Sequence, residues 1–205
     1  MYLSRLKYTL NNVRTRRSLS DPYEMHRLIW RAFPDSATGG PGRVLFRTEE
    51  HRRQAAVITL VQSEKEPDWK PLEHEGLLLA SYKPYEPIVT SGQRLRFRLR
   101  ANPTRRVGDK NDKLHGKRVG IYGEGKQREW LLRKATKSGF EVTDVLITSR
   151  ENVVSSTRGK KAQHFAVDFD GYLRITDANK FRDTLIKGIG PAKAFGFGLL
   201  SIAPA

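Results

Sequence analysis

The 205-residue chain reads as an α+β protein built from tandem ferredoxin-like (RRM-like, βαββαβ) domains, and three observations predict it. Alternating and helix-periodic segments succeed one another twice in the order β-α-β-β-α-β, with the second helix of the first copy shrunk to a short connection. Between the copies, Pro84-Tyr-Glu-Pro87 and Ser91-Gly92 punctuate the chain as a linker does. The length allows two domains of about 100 residues, each large enough for a core. The expected division is residues 1–88 and 92–205, with a basic loop and a glycine-rich loop in the second domain.

In the first half, residues 2–10 alternate as a strand, with Leu3, Leu6, Tyr8 and Leu10 as its apolar positions, and a basic loop, Arg14-Thr-Arg-Arg17, follows. Ser20-Asp21-Pro22-Tyr23-Glu24 is a helix start: Asp21 suits the N-cap, Pro22 the first helical position and Glu24 the capping-box position. The helix should end at about Phe33, before Pro34. At 3.6 residues per turn, Met25, Leu28, Ile29 and Ala32 share an apolar face. Tyr23, His26, Arg27 and Trp30 share the other, so a phenol, an imidazole, a guanidinium and an indole stand where a wet face usually carries Lys, Glu and Gln. Residues 43–48 and 55–62 read as a hairpin with a turn over 49–54; 67–75 is a connection with room for a short helix, and 76–82 is a fourth strand.

In the second half, residues 93–101 alternate strictly. Leu95, Phe97 and Leu99 form a dry face; Arg94, Arg96, Arg98 and Arg100 form a cationic one that needs either an anion or carboxylates from neighbouring strands across it. Residues 103–120 read as a mobile basic loop, 127–138 as a helix stopped by Gly139, and 140–148 as a strand. Residues 163–168 and 172–176 read as a hairpin about Asp170-Gly171. Asp177 caps a helix to about Lys187, and the final strand is 199–203. Before that strand lies Lys187-Gly-Ile-Gly-Pro-Ala-Lys-Ala-Phe-Gly-Phe-Gly198, whose Gly188, Gly190, Gly196 and Gly198 with Lys187 and Lys193 suit either a phosphate-binding loop or a glycine-lined turn. Neither the P-loop nor the Rossmann spacing is present.

Composition narrows the function. A net charge of +16, from 38 Lys and Arg against 22 Asp and Glu, calls for a polyanionic partner, with nucleic acid ahead of a membrane surface. No apolar run is long enough to span a bilayer and no signal-peptide pattern opens the chain, so a cytoplasmic protein is expected. The absence of cysteine excludes thiol catalysis, disulfides and thiolate metal sites, and the five histidines lack H-x-x-x-H or H-E-x-x-H spacing. No metal site and no cofactor are expected. No RNP1 pattern is present, which argues against a standard RRM surface.

Pro22-Tyr-Glu-Met-His26, the strand Gln93-Arg-Leu-Arg-Phe-Arg-Leu-Arg-Ala-Asn-Pro103 and the block Gly188-Ile-Gly-Pro-Ala-Lys-Ala-Phe-Gly-Phe-Gly-Leu-Leu-Ser201 together resemble one family over nearly the whole chain. It is the pre-crRNA processing endoribonuclease of type I-E CRISPR systems, the CasE-type subunit of Cascade. The resemblance implies metal-independent cleavage at the base of a repeat stem-loop, with the product kept as guide RNA in the antiviral complex. It implies CRISPR repeat hairpin RNA and other Cascade subunits as partners, no membrane, and a monomer when free. It maps the catalytic His and Tyr onto His26 and Tyr23, a supporting Arg onto Arg27, and the basic segment that enters the stem's major groove onto Arg158, Lys160 and Lys161. Further RNA contacts are expected from Lys193, Gly190, Gly196 and Gly198 and from Arg94, Arg96 and Arg98.

The chemistry of these residues suits that reading. Cleaving RNA without a metal needs a neighbouring 2′-OH as nucleophile, a group to take its proton and a group to stabilise the departing 5′ oxygen. An imidazole with an ordinary pKa near 6.5 serves either proton transfer, and one His alone does not choose between base and acid. Tyr23 can orient the 2′-OH, and Arg27 can balance charge on the phosphorane. Two other classes stay open: a non-catalytic RNA-binding scaffold subunit, and a structural component of a ribonucleoprotein.

Overall fold

A computed structural model describes residues 1–33, 40–51, 56–108, 113, 115–157 and 160–205. The chain forms two units, neither continuous in sequence. The first comprises Met1–Ile88, Val154–Ala162 and Lys193–Leu199; the second comprises Val89–Val153, Gln163–Ala192 and Leu200–Ala205.

The first unit contains β1 (Tyr2–Tyr8), α1 (Val13–Ser20), α2 (Pro22–Trp30), β2 (Val44–His51), β3 (Ala56–Ser63), α3 (Lys70–His74) and β4 (Leu78–Pro84). Its antiparallel sheet has the order β2-β3-β1-β4, the ferredoxin-like arrangement in which the first and third strands lie in the middle. Met25, Leu28, Ile29 and Ala32 are buried as their spacing predicts, in one core with Leu6, Tyr8, Phe46, Val61, Trp69 and Leu72. Burying such aliphatic side chains contributes roughly 1.5–3 kcal/mol each. The polar groups of this core are satisfied: the Trp69 indole N–H donates to Ser4 Oγ at 3.1 Å, and the Tyr8 hydroxyl donates to Met25 Sδ at 3.2 Å. Burial pushes the Tyr8 phenol well above its ordinary value.

The second unit is built from β5 (Arg94–Ala101), β6 (Thr104–Arg106), β7 (Arg118–Gly120), α4 (Glu124–Lys137), β8 (Phe140–Thr157), β9 (Lys160–Ile175), α5 (Ala178–Lys187) and β10 (Leu200–Pro204). The sheet order β10-β5-β9-β8 repeats the arrangement of the first. Leu95, Phe97 and Leu99 are buried with Phe169, Leu173, Trp130, Leu131, Phe181 and Leu185. The rings of Trp130 and Phe169 are stacked with centroids 6.5 Å apart. Asp177 caps α5 as expected, its Oδ1 accepting from Asn179 N and Lys180 N.

Three local expectations are corrected. Arg14–Arg17 is part of a helix, α1, with Asn12 as N-cap accepting from Arg14 N at 2.9 Å. Its inward residues are Thr15 and Ser18, so it has no apolar stripe to announce it; Thr15 Oγ1 instead donates to the Leu77 carbonyl at 3.0 Å. Residues 103–120 are not wholly a loop, since β6 and β7 pair as a two-stranded ribbon. Asp170-Gly171 is not a turn. β9 runs through it, paired with β5 from Arg94↔Arg174 to Ala101↔Val167. A Cβ on Gly171 would come within 2.1 Å of the Asp144 carbonyl oxygen, so this glycine serves a close backbone approach. β8 and β9 form one long hairpin, and the described part of its far end belongs to the first unit.

Candidate active site

The face of α2 opposite the core carries the candidate chemistry. Asp21 Oδ1 accepts from Tyr23 N at 2.8 Å and Pro22 occupies the first turn, so the cap holds Tyr23 and His26 one turn apart on the exposed side. Glu24 does not close a capping box. It is met instead by Arg17 Nη2 at 3.5 Å and Arg27 Nη1 at 3.4 Å.

α1 and α2 together wall a groove lined by Arg14, Arg17, Tyr23, His26, Arg27, Trp30 and Arg31, with Ser18, Glu24, Leu28 and Leu77 completing it. His26 is half-buried against Trp30, ring centroids 5.1 Å apart, and Trp30 keeps 41% of its surface exposed. Burial pulls the His26 imidazole below its ordinary 6.5. Glu75 is shared by Arg31 and by Arg14, the latter at 3.5 Å, and its hydrogen bond from Arg31 holds its carboxyl below the usual range. Four guanidiniums and two carboxylates therefore leave the groove cationic around an imidazole and a phenol. Arg14, Arg17 and Arg31 were not singled out from the sequence. The available signal was Asn12 as a cap with Arg14 and Arg17 three apart, which puts both on one side of a helix.

The other predicted RNA contacts divide. Arg158 lies outside the described residues, as does the side chain of Lys160; Lys161 is an exposed residue of β9. In the arginine row of β5, Arg98 donates to both oxygens of Asp170 at 2.6 and 3.1 Å, and Arg100 donates to Asp168 at 2.7 Å and to Glu151. No carboxylate among the described residues reaches Arg94 or Arg96. Both are exposed, and Tyr172 stands directly across from Arg96 on β9. In the glycine stretch, Gly196 and Gly198 are buried at φ 82° and 90°. A Cβ on Gly196 would stand 3.1 Å from the Phe46 ring, and one on Gly190 would stand 3.1 Å from the Trp130 ring. The carbonyl of Leu199 is held by Arg47 Nη1 at 3.3 Å, while Arg47 Nε pairs with Glu49 at 2.7 Å. Lys193 is partly buried in a single 3-10 turn, Lys193–Phe195. Among the described residues no three His, Asp or Glu side chains cluster as metal ligands, and no helix is long and apolar enough to cross a membrane.

The family model described as "CRISPR associated protein" matches residues 1–204. This chain belongs to that family. Its relatives include the CRISPR-associated endoribonuclease Cse3 of Thermus thermophilus, 36% identical with both chains covered in full. They also include the CRISPR system Cascade subunit CasE of Escherichia coli K12, 33% identical over 90% of this chain and 92% of that one. The structure of Thermus thermophilus Cse3 bound to an RNA representing a pre-cleavage complex matches with a TM-score of 0.90 at 37% identity, covering 99% of this chain and 98% of the other. The tandem ferredoxin-like fold is thus shared with members of this CRISPR family.

Proposed function

We propose that this chain is a type I-E CRISPR endoribonuclease that cuts repeat stem-loops in precursor RNA and stays on its product as a Cascade subunit. Family membership and full-length likeness to an endoribonuclease and to a Cascade subunit support the class. The observation that carries the mechanism is His26, half-buried against Trp30 in an arginine-lined groove with Tyr23.

The reaction is a transesterification. The 2′ oxygen of the nucleotide 5′ of the cut attacks phosphorus, the P–O5′ bond breaks, and the products end in a 2′,3′-cyclic phosphate and a 5′-hydroxyl. An imidazole held below 6.5 is neutral at pH 7, the form that accepts a proton, which favours His26 as the base for the 2′-OH. Tyr23 orients that hydroxyl or donates to a non-bridging oxygen. Arg27, steadied by Glu24, balances charge on the phosphorane. The exposed Trp30 ring offers a base a stacking surface.

For the stem we assign Arg158, which follows β8 in the sequence, together with Lys160 and Lys161 of β9. Lys193 is a further phosphate contact, with Gly190, Gly196 and Gly198 shaping the segment that carries it. In the arginine row Arg94 and Arg96 are the stronger candidates, because Arg98 already shares Asp170. The reaction as drawn uses no metal and no cofactor, and the free protein is a cytoplasmic monomer.

Incubating the purified chain with end-labelled repeat hairpin and EDTA tests the reading. One cut at the stem base, leaving a cyclic phosphate, is expected. A hairpin bound but left intact under all conditions would make the chain a non-catalytic RNA-binding subunit.

A further inference from the structure

Asp21 makes a second bond that helix capping does not require. While Oδ1 accepts from Tyr23 N at 2.8 Å, Oδ2 accepts from the backbone N–H of Ser156 at 3.1 Å. Ser156 lies on β8, the edge strand of the second sheet, one residue before that strand ends at Thr157. An edge strand presents N–H groups that its own sheet leaves without a partner, and these need an acceptor or water. Here the acceptor is the carboxylate that starts α2. Only Pro22 separates it from Tyr23, and His26 follows one turn later. The neighbouring Ser155 is fully buried and its hydroxyl bonds the Ala162 carbonyl, so this part of the hairpin is fastened to both sides.

We propose that Asp21 is a positioning residue: its carboxylate ties the outer edge of the β8–β9 hairpin to the first turn of α2, so that RNA seated on the hairpin sets where Tyr23 and His26 stand. The inference rests on the endoribonuclease reading for its consequence, though the tie itself is independent of it. A carboxylate has an oxygen for each N–H. An asparagine has one, so Asp21→Asn keeps a good N-cap and gives up Ser156. Ser156→Pro removes the N–H from the other side at an edge position where proline is tolerated, leaving the cap alone.

Both variants should melt within a few degrees of wild type and bind a 2′-deoxy hairpin within about twofold. Both should cleave about tenfold more slowly at saturating protein, since a small misplacement of catalytic groups is costly. The double variant should be no slower than either single variant, because all three break the same bond. Wild-type cleavage in both singles, or losses that multiply in the double, would overturn the proposal. Amide hydrogen exchange of the first turn of α2 provides a readout that needs no cleavage. The Tyr23 amide should exchange faster in Ser156→Pro than in wild type, and equal protection would refute the tie. If wild type itself fails to cut the hairpin, the endoribonuclease reading falls while the exchange result still decides the tie.

Discussion

Replacing Gly196 with alanine separates two uses of the glycine stretch, packing and phosphate contact. Gly196 is buried at φ 82°, where an L-residue costs roughly 1–2 kcal/mol. The added Cβ would also stand 3.1 Å from the edge of Phe46, a ring only 3% exposed and hence with little room to yield, which adds about 1 kcal/mol of overpacking. The lower entropy of an unfolded alanine offsets roughly 0.4–1 kcal/mol of this. The net expectation is a loss of about 2 kcal/mol, or a fall in melting temperature of about 4–8 °C for a chain of this length. The assay is thermal and urea unfolding of wild type, Gly196→Ala, Phe46→Leu and the double variant, alongside hairpin binding. The alanine should cost about 1 kcal/mol less in the Phe46→Leu background, because the shorter side chain relieves the crowding. An unchanged melting temperature for Gly196→Ala combined with lost RNA binding would refute the packing argument and return this glycine to a phosphate-contact role.

Four further outcomes are expected. Burial holds His26 and His164 below 6.5, so between their folded values and 6.5 the unfolded chain binds more protons, and stability should be lost as pH falls through that window in unfolding experiments at pH 7 and 5.5. If His26 is the base, cleavage at subsaturating protein should rise with pH to a plateau with its midpoint below 6.5; a rate that falls as pH rises through this range would make it the acid. Arg47→Met should destabilise the fold by about 3 kcal/mol in urea melts, because it strips a buried guanidinium from Glu49 and from the Leu199 carbonyl, and adding Glu49→Leu should recover most of the loss. Replacing Arg158, Lys160 and Lys161 together with alanine should make the dependence of log K on log salt shallower by roughly two to three units, and an unchanged slope would remove the hairpin end from the stem contact.

The parts legible in the sequence are those where one local rule acts alone. Asp21-Pro22 marks the start of α2, and its two faces separate by spacing; Leu95, Phe97 and Leu99 announce β5; Asp177 announces α5. The misread parts are those where a neighbour overrides the local rule. α1 turns Thr15 and Ser18 inward, so it lacks the apolar period by which helices are found, and the two arginines it brings to the groove, Arg14 and Arg17, read only as part of a basic loop. Gly171 resembles a turn residue, yet the pressure on it comes from the Asp144 carbonyl. The outer half of β8, from Ser149 to Thr157, is largely polar, as suits an edge strand, and so reads as loop. The arginine row of β5 was visible, but its division was not, because Asp168 and Asp170 reach Arg100 and Arg98 only through the β5–β9 register.

The central claim is that the imidazole in the groove transfers a proton in RNA cleavage and contributes little to holding the RNA. Single-turnover cleavage and equilibrium binding of the repeat hairpin by wild type and His26→Ala, in EDTA, test it most directly. The account predicts a cleavage rate about 10²–10⁴-fold lower with affinity within a few-fold of wild type, and no cutting by wild type of a hairpin carrying a 2′-deoxy nucleotide immediately 5′ of the scissile bond. Affinity that falls in step with the rate, or normal cutting of the deoxy hairpin, would contradict it.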